Sequence, residues 1–266
     1  MDSAKLERYW PHMTVATLRE ALSETRTVLI PVGITEQHGY HLPLDTDTIV
    51  ALEICRRAAR ETGAVVAPEM RYSYSGGELE GTINIRPAVV TLLIEETLRE
   101  LARHGFLNLV IVLGHGGTEN TAAVEEAADI FQRTSPHLRQ VAVAVYKYFF
   151  ASETTRRAFA EGDFHGGWFE TSLLLAICPE LVCNERMQTD EPALVQRLRA
   201  DPDAYQTRER LIEHEAVIPR VHQDTAIRVG VMGEPHRASN ELGERILTEA
   251  VAGLVALIRQ LEAARR

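Results

Sequence analysis

The chain has 266 residues, with 38 acidic against 28 basic side chains and a formal charge of -10, an excess that disfavours a nucleic-acid partner because phosphates are neutralised by Lys and Arg. Hydrophobic residues make up 45% and charged residues 25%, which excludes disorder and fits a folded chain; at this length roughly 70 to 75% of the unfolded surface can be buried. We therefore expect one domain over residues 1–266.

No apolar run approaches the ~18 residues of a membrane helix, and the opening MDSAKLERYWPHM lacks a basic segment followed by an apolar one, so neither membrane insertion nor export is expected. Cys55, Cys178 and Cys183 are odd in number and form no CxxC pair. They read as reduced thiols, which points to the cytoplasm.

In chain order, Thr14 is the expected cap of a helix through VATLREALSE. TVLIPVG (27 to 33) reads as a strand buried on both faces. A helix over 46 to 63, stopped by Gly63, leads to an expected strand at 64 to 74 and a short one at TINI, 82 to 85. Pro87 opens a helix whose apolar residues recur at three and four, and Gly105 ends it. LNLVIVLG (107 to 114) is a second buried strand, followed by a helix through ENTAAVEEAADIFQRT and a strand at 140 to 149. A helix from Trp168 is limited by Pro179, and residues 186 to 225 read as loop and short helix forming an interface or lid. The last helix, roughly 240 to 263, follows Ser239. Alternating strands and helices predict an α/β fold, three layers with a mostly parallel central sheet flanked by helices.

The first buried strand runs into Gly-Ile-Thr-Glu36-Gln-His38-Gly-Tyr-His41, with Asp45 and Asp47 close behind. Glu36 and His38 are two apart, so in an extended strand end both side chains project to one side. Asp47 can return across the loop as a third ligand of a metal centre. Any one of these residues taken alone is more often an ordinary residue of a solvated loop. What raises them is a second histidine-bearing loop: His115, in GHGG, ends the strand LNLVIVL. Ligands of open parallel sheets bind outside the strands' carboxyl ends. A phosphate cradle at GHGG lacks the GxGxxG or P-loop lysine that would support it. A third cluster, His165-Gly-Gly-Trp-Phe-Glu170-Thr, opens the helix from Trp168; Glu170 there suits either a helix dipole or a metal. No GxSxG elbow supports a serine nucleophile.

Read in order, TEQHGYHLPLDTDT, GHGGTEN and HGGWFETS resemble the creatininase (creatinine amidohydrolase) family, from about residue 27 to 180, and GVMGEPHRASNELGERI resembles the family's closing segment. The resemblance implies an α/β hydrolase of amide bonds that uses two divalent ions, zinc, manganese or iron, and assembles as a homohexamer. It puts Glu36, His38, Asp47 and His115 on metal-ligand positions, with Asp47 bridging. In creatinine-cleaving members a glutamate two residues beyond the histidine binds metal; here that position is Gly117. Glu170 of the ETS motif is the substitute that other members suggest, and Glu119 competes with it. His165 falls on the position of a substrate-proximal acid-base histidine. His41 is either a group that orients a ligand or a surface histidine. Three departures, Gly116 in place of a substrate-contacting tyrosine, AEGDF in place of an aromatic-acidic loop, and Leu79-Glu80 where Phe-Pro usually stands, argue against creatinine as substrate. The implied function is metal-assisted hydrolysis of a small cyclic-amide or formamide-type substrate. The alternatives are a formylamino-pyrimidine deformylase, a peptide-precursor hydrolase and a non-catalytic, metal-organised oligomer subunit.

Overall fold

The structure, a computed structural model, describes residues 8–265. The reading of the chain's opening as leaderless rests partly on residues 1–7, outside the described part. Helix α1 (Val15–Glu24) begins at Thr14, whose hydroxyl accepts from the Thr17 N–H while the Thr17 hydroxyl accepts from the Thr14 N–H, a reciprocal cap that satisfies two donors a helix start leaves open. Strand β1 (Thr27–Val32) has all six residues buried. Helix α2 (Thr46–Thr62) stops at Gly63, which adopts φ 78°, a conformation that costs glycine no Cβ clash.

The strand expected over 64 to 74 shrinks to β2 (Val65–Val66). The Ala67 N–H still reaches the Leu29 carbonyl, but Pro31 of β1, whose carbonyl faces this side and accepts from Met70, has no N–H to return a bond, and the chain beyond makes only single bridges, Val32 with Met70 and Ser73 with Asn84. Asn84 is likewise all that TINI contributes to pairing. Helix α3 (Pro87–Arg103), strand β3 (Asn108–Leu113) and helix α4 (Thr118–Thr134) lie where the sequence pattern puts them. Strand β4 (Ala142–Lys147) ends two residues early because Tyr148 opens helix α5 (Tyr148–Ala151), and helix α6 (Glu153–Ala160), capped by the Ser152 hydroxyl, was not anticipated. Its two turns carry mostly polar residues, too few for a helical period to show.

Helix α7 (Trp168–Ile177) stops just short of Pro179. The segment read as loop and short helix contains helix α8 (Pro192–Ala200) and an antiparallel hairpin, β5 (Gln206–Glu209) with β6 (Arg220–Gln223). Helix α9 (Asn240–Ala263) is capped by Ser239, whose hydroxyl accepts from the Leu242 N–H.

Strands β2, β1, β3 and β4 lie in that order and all pair in parallel; Val28 faces Val65 on one side and Leu109 on the other, and Leu109 faces Val143. Helices α2, α7 and α9 pack together, as do α3 and α4, giving the expected α/β layers around a parallel sheet. From β1 the chain first steps outward to β2 and then returns to lay β3 on β1's other side. That reversal opens a crevice at the carboxyl ends of β1 and β3, where parallel sheets place ligands. Among the described residues no helix is long and apolar enough to cross a membrane.

Candidate metal centre

Glu36 and His38 follow β1, and His115 follows β3, so the crevice is furnished from the two strands that flank it. Asp47 enters from the first turn of α2, and Glu170 from the first turn of α7. Helix α2 comes this close because Gly114 has no side chain: a Cβ there would lie 2.3 Å from the Asp47 carbonyl oxygen. Rather than an extended strand end, the stretch carrying Glu36 and His38 is irregular. Even so, His38 meets the Asp47 carboxylate directly and Glu36 meets it across His115. All five residues are buried, His38 completely.

Asp47 divides the centre in two. Its Oδ2 is 3.1 Å from His115 Nδ1, which is also 3.0 Å from Glu36 Oε2. Its Oδ1 is 3.3 Å from His38 Nε2, which is 3.7 Å from Glu170 Oε2. Two groups able to hold a cation result, Glu36–Asp47–His115 and His38–Asp47–Glu170, and Glu36, His38 and His165 form a third. Glu119 stands in none of these; its Oε1 accepts from the Gln206 amide at 3.3 Å instead. A side chain at position 117 is also disfavoured, since a Cβ there would lie 2.4 Å from His115 Nε2. Asp45 turns away to pair with Arg71 at 2.6 Å.

Divalent cations fit this donor set. Glu36 Oε2, Asp47 Oδ2 and His38 Nε2 are buried and lack a properly directed hydrogen bond, although buried polar atoms are nearly always satisfied. Three carboxylates packed with two imidazoles also create a strongly negative pocket. Burial would push His38 down, but the Asp47 and Glu170 carboxylates hold it up at about 10. His115 is raised in the same way, against its burial, by Glu36 and Asp47. Burial opposes ionisation of Glu36 and Asp47, yet the neighbouring imidazoles keep both below the ordinary carboxylate range. Burial pushes Glu170 up to about 8, with His38 opposing it. Cations entering here would take over the neutralising role of the two imidazolium groups.

Several supporting side chains were not picked out from the sequence. Ser75 donates its hydroxyl to Glu36 Oε1, leaving Oε2 toward His115. Asn120 donates to the His115 carbonyl at 3.2 Å and accepts from the Ser73 hydroxyl. Asp163 is buried and accepts from the N–H groups of Trp168 (2.9 Å), Phe169 (3.2 Å) and Glu234 (2.9 Å), tying the start of α7 to the chain before α9. These contacts join residues up to 71 positions apart, and no local pattern announces them. Asn120, the last residue of GHGGTEN, and Asp163, five residues before Trp168 in GDFHGGW, stood in or beside a motif. His41 is no surface histidine: it is buried, and its Nε2 lies 2.9 Å from the Thr171 hydroxyl, next to Glu170.

His165 lines the cavity above the centre and stacks on His38 with ring centroids 4.3 Å apart. Burial, then His38, lowers it to about 4. Its Nε2 is 2.7 Å from the Gln37 carbonyl, a geometry in which Nε2 carries the hydrogen and Nδ1 the lone pair. The cavity measures about 310 Å³ and reaches Glu36, His115 and Glu170.

The creatininase family profile, described as creatinine amidohydrolase, matches residues 11–258. The chain belongs to the creatininase family. Creatinine amidohydrolase of Pseudomonas putida is 30% identical over 250 residues, covering 88% of each chain. The mycofactocin precursor peptide peptidase of Mycolicibacterium smegmatis is 30% identical over 256 residues, covering 92% of this chain and 89% of the relative. A crystal structure of creatininase superposes with a TM-score of 0.77 at 29% identity, over 96% of this chain and 98% of the other. The chain is thus a creatininase-family hydrolase, with a family fold and a cluster of residues suited to metal.

Proposed function

We propose that this hydrolase cleaves an amide C–N bond of a small cyclic-amide or formamide-type substrate at a centre of two divalent ions held by Glu36, His38, Asp47, His115 and Glu170. The division of Asp47 carries the reading: each of its oxygens faces a different histidine, and each histidine faces a second carboxylate. When bound, such ions supply Lewis-acid polarisation of the carbonyl and hydroxide near neutral pH. The imidazole and carboxylate donors suit zinc, manganese or iron.

The chain's own groups do the rest. Ser75 fixes the rotamer of Glu36, and the Gly166 N–H holds Glu170 Oε2 at 2.6 Å. With Nε2–H committed to the Gln37 carbonyl, His165 offers Nδ1 as base. It accepts the proton released as water attacks the carbonyl and returns it to the departing nitrogen, converting an amine anion into a neutral leaving group.

The same reading takes the chain as one amidohydrolase domain working in the cytoplasm, consistent with three free cysteines. The half-exposed apolar residues Val89, Leu92 and Leu93 on α3 support the homohexamer that the resemblance implies. A peptide amide is the second reading, favoured by the identity with the precursor-peptide peptidase.

Metal analysis with a panel of lactams, cyclic ureas, formamides and peptides tests the proposal. Two equivalents per chain, and hydrolysis lost on chelation and restored by zinc, manganese or iron, are expected. Retained metal with no turnover across the panel would instead identify a metal-organised structural subunit.

A further inference from the structure

The cavity over the centre has a composition that its reacting end does not require. Phe149 and Phe150, at the junction of β4 and α5, meet Phe159 of α6 with ring centroids 6.1 and 6.2 Å away, and Phe159 meets Phe164 at 5.5 Å. All four line the cavity together with Leu79 and Met232. Phe150 remains 55% exposed, an uncompensated aromatic surface beside a binding site. The wall adjoins His165 through Phe164, so a group bonded to the scissile amide meets aromatic faces first.

Charge is equally one-sided. No Lys or Arg occurs among the described residues that line the cavity. Beyond Glu36, His115 and Glu170, which belong to the centre, the remaining charged lining residue is Asp203, whose carboxylate accepts from the Thr118 hydroxyl at 3.3 Å. An anionic substrate group on the Asp203 side of the cavity would meet a carboxylate and no Lys or Arg, whereas a cation would meet a partner. At about 310 Å³ the space lies at the small end of ligand pockets, sufficient for a benzyl-sized group and its amide.

From this composition we infer that the substrate carries an aromatic or bulky apolar group next to the scissile amide, seated against Phe149, Phe150, Phe159 and Phe164, with a neutral or cationic far end toward Asp203. The inference rests on the metal-dependent amidohydrolase reading and narrows its substrate class. Phe150 and Asp203 act as specificity-determining residues, reading the body and the far end of the substrate.

The test is calorimetric binding of four matched primary amides to metal-loaded protein, scored as affinity ratios that need no turnover. 3-Phenylpropionamide should bind about tenfold or more tighter than propionamide, and Phe150→Ala should reduce that ratio about threefold or more. The 4-aminomethyl derivative should bind about fivefold or more tighter than the 4-carboxy derivative, and Asp203→Asn should bring that preference below about twofold. Equal affinity for phenylpropionamide and propionamide, a preference for the carboxy derivative, or no binding of any of the four overturns the inference. Failure of the loaded protein to hydrolyse any amide would instead overturn the reading of function, and the affinity ratios would still decide this one.

Discussion

Replacing Asp47 tests whether one carboxylate serves two ions. Asp47 contributes an oxygen to each of two ligand groups, whereas Glu36 serves the His115 side and Glu170 the His38 side. Three variants should therefore differ in stoichiometry. Glu36→Gln and Glu170→Gln should each leave about one ion per chain, and Asp47→Asn close to none, because three protein ligands is the usual minimum for a catalytic site. An ion bound only to the folded chain stabilises it by about 2.7 kcal/mol at a hundredfold excess over Kd. For a chain of this size each kcal/mol moves Tm by about 2 to 4 °C, so one ion shifts it by about 5 to 11 °C and two by about twice that. Elemental analysis and thermal melts with and without chelator read both quantities. If Asp47→Asn keeps two equivalents and the full chelation shift, the carboxylate does not bridge, and the two-ion reading loses its main support.

The other expectations concern how the centre is held. Glu119→Gln should leave metal content unchanged and activity within about threefold, since its carboxylate belongs to no ligand group; loss of an ion in elemental analysis would restore it as the closing ligand. Gly114→Ala should cost about 1 to 3 kcal/mol in urea denaturation and weaken metal binding, because its methyl would collide with the Asp47 carbonyl. Asp163→Ala should cost about 2 to 4 kcal/mol by leaving the N–H groups of Trp168, Phe169 and Glu234 without their acceptor; Asp163→Asn, which keeps one acceptor oxygen, should recover part of it in the same assay. For Glu249, burial works against the charge, but bonds from the Ser152 hydroxyl and from the Thr154 N–H and hydroxyl hold it below the ordinary carboxylate range. A depressed carboxylate stabilises above its unfolded pKa of about 4.3 and loses that contribution as pH falls through the folded value. Glu249→Gln should thus destabilise by about 1 kcal/mol at pH 7 in urea denaturation, with the gap closing below about pH 4; a gap independent of pH would contradict the assignment.

The parts of the fold legible in the sequence are those whose cause is local. Strands β1 and β3 carry uninterrupted apolar runs because both faces are covered, and helices α1, α3 and α9 announce themselves by a capping threonine or serine or by a proline in the first turn. Where the cause lies elsewhere in the chain, the pattern misleads. Residues 67 to 74 read as a continuation of the strand through Val65 and Val66, yet Pro31 on the facing strand has no N–H to extend the ladder, and only single bridges follow. Helix α6 is stabilised by Ser152 and by contact with α9 rather than by its own period. The segment 186 to 225, read as interface or lid, does bring Pro202, Asp203, Tyr205 and Gln223 to the cavity wall, but nothing local fixed where it would fold.

The same division runs through the centre itself. Glu36, His38 and His115 were readable because each follows a strand end, and adjacent parallel strands necessarily deliver their carboxyl ends to one crevice. The choice between Glu119 and Glu170 was not readable, because both lie in the first turn of a helix and differ only in where that helix is anchored. Helix α7 is fixed by Asp163 through the N–H groups of Trp168 and Phe169, with the Glu234 N–H tying the same carboxylate to the chain before α9, and by packing on α9; that anchorage aims Glu170 at His38. Helix α4 packs on α3, which leaves Glu119 facing Gln206 of the hairpin. On the proposed reading, a carboxylate becomes a ligand here through tertiary anchorage: in the Asp163→Ala chain Glu170 should lose its aim while Glu36, His38, Asp47 and His115 stay placed, and the His38 side should give up its ion at a lower chelator concentration than the His115 side.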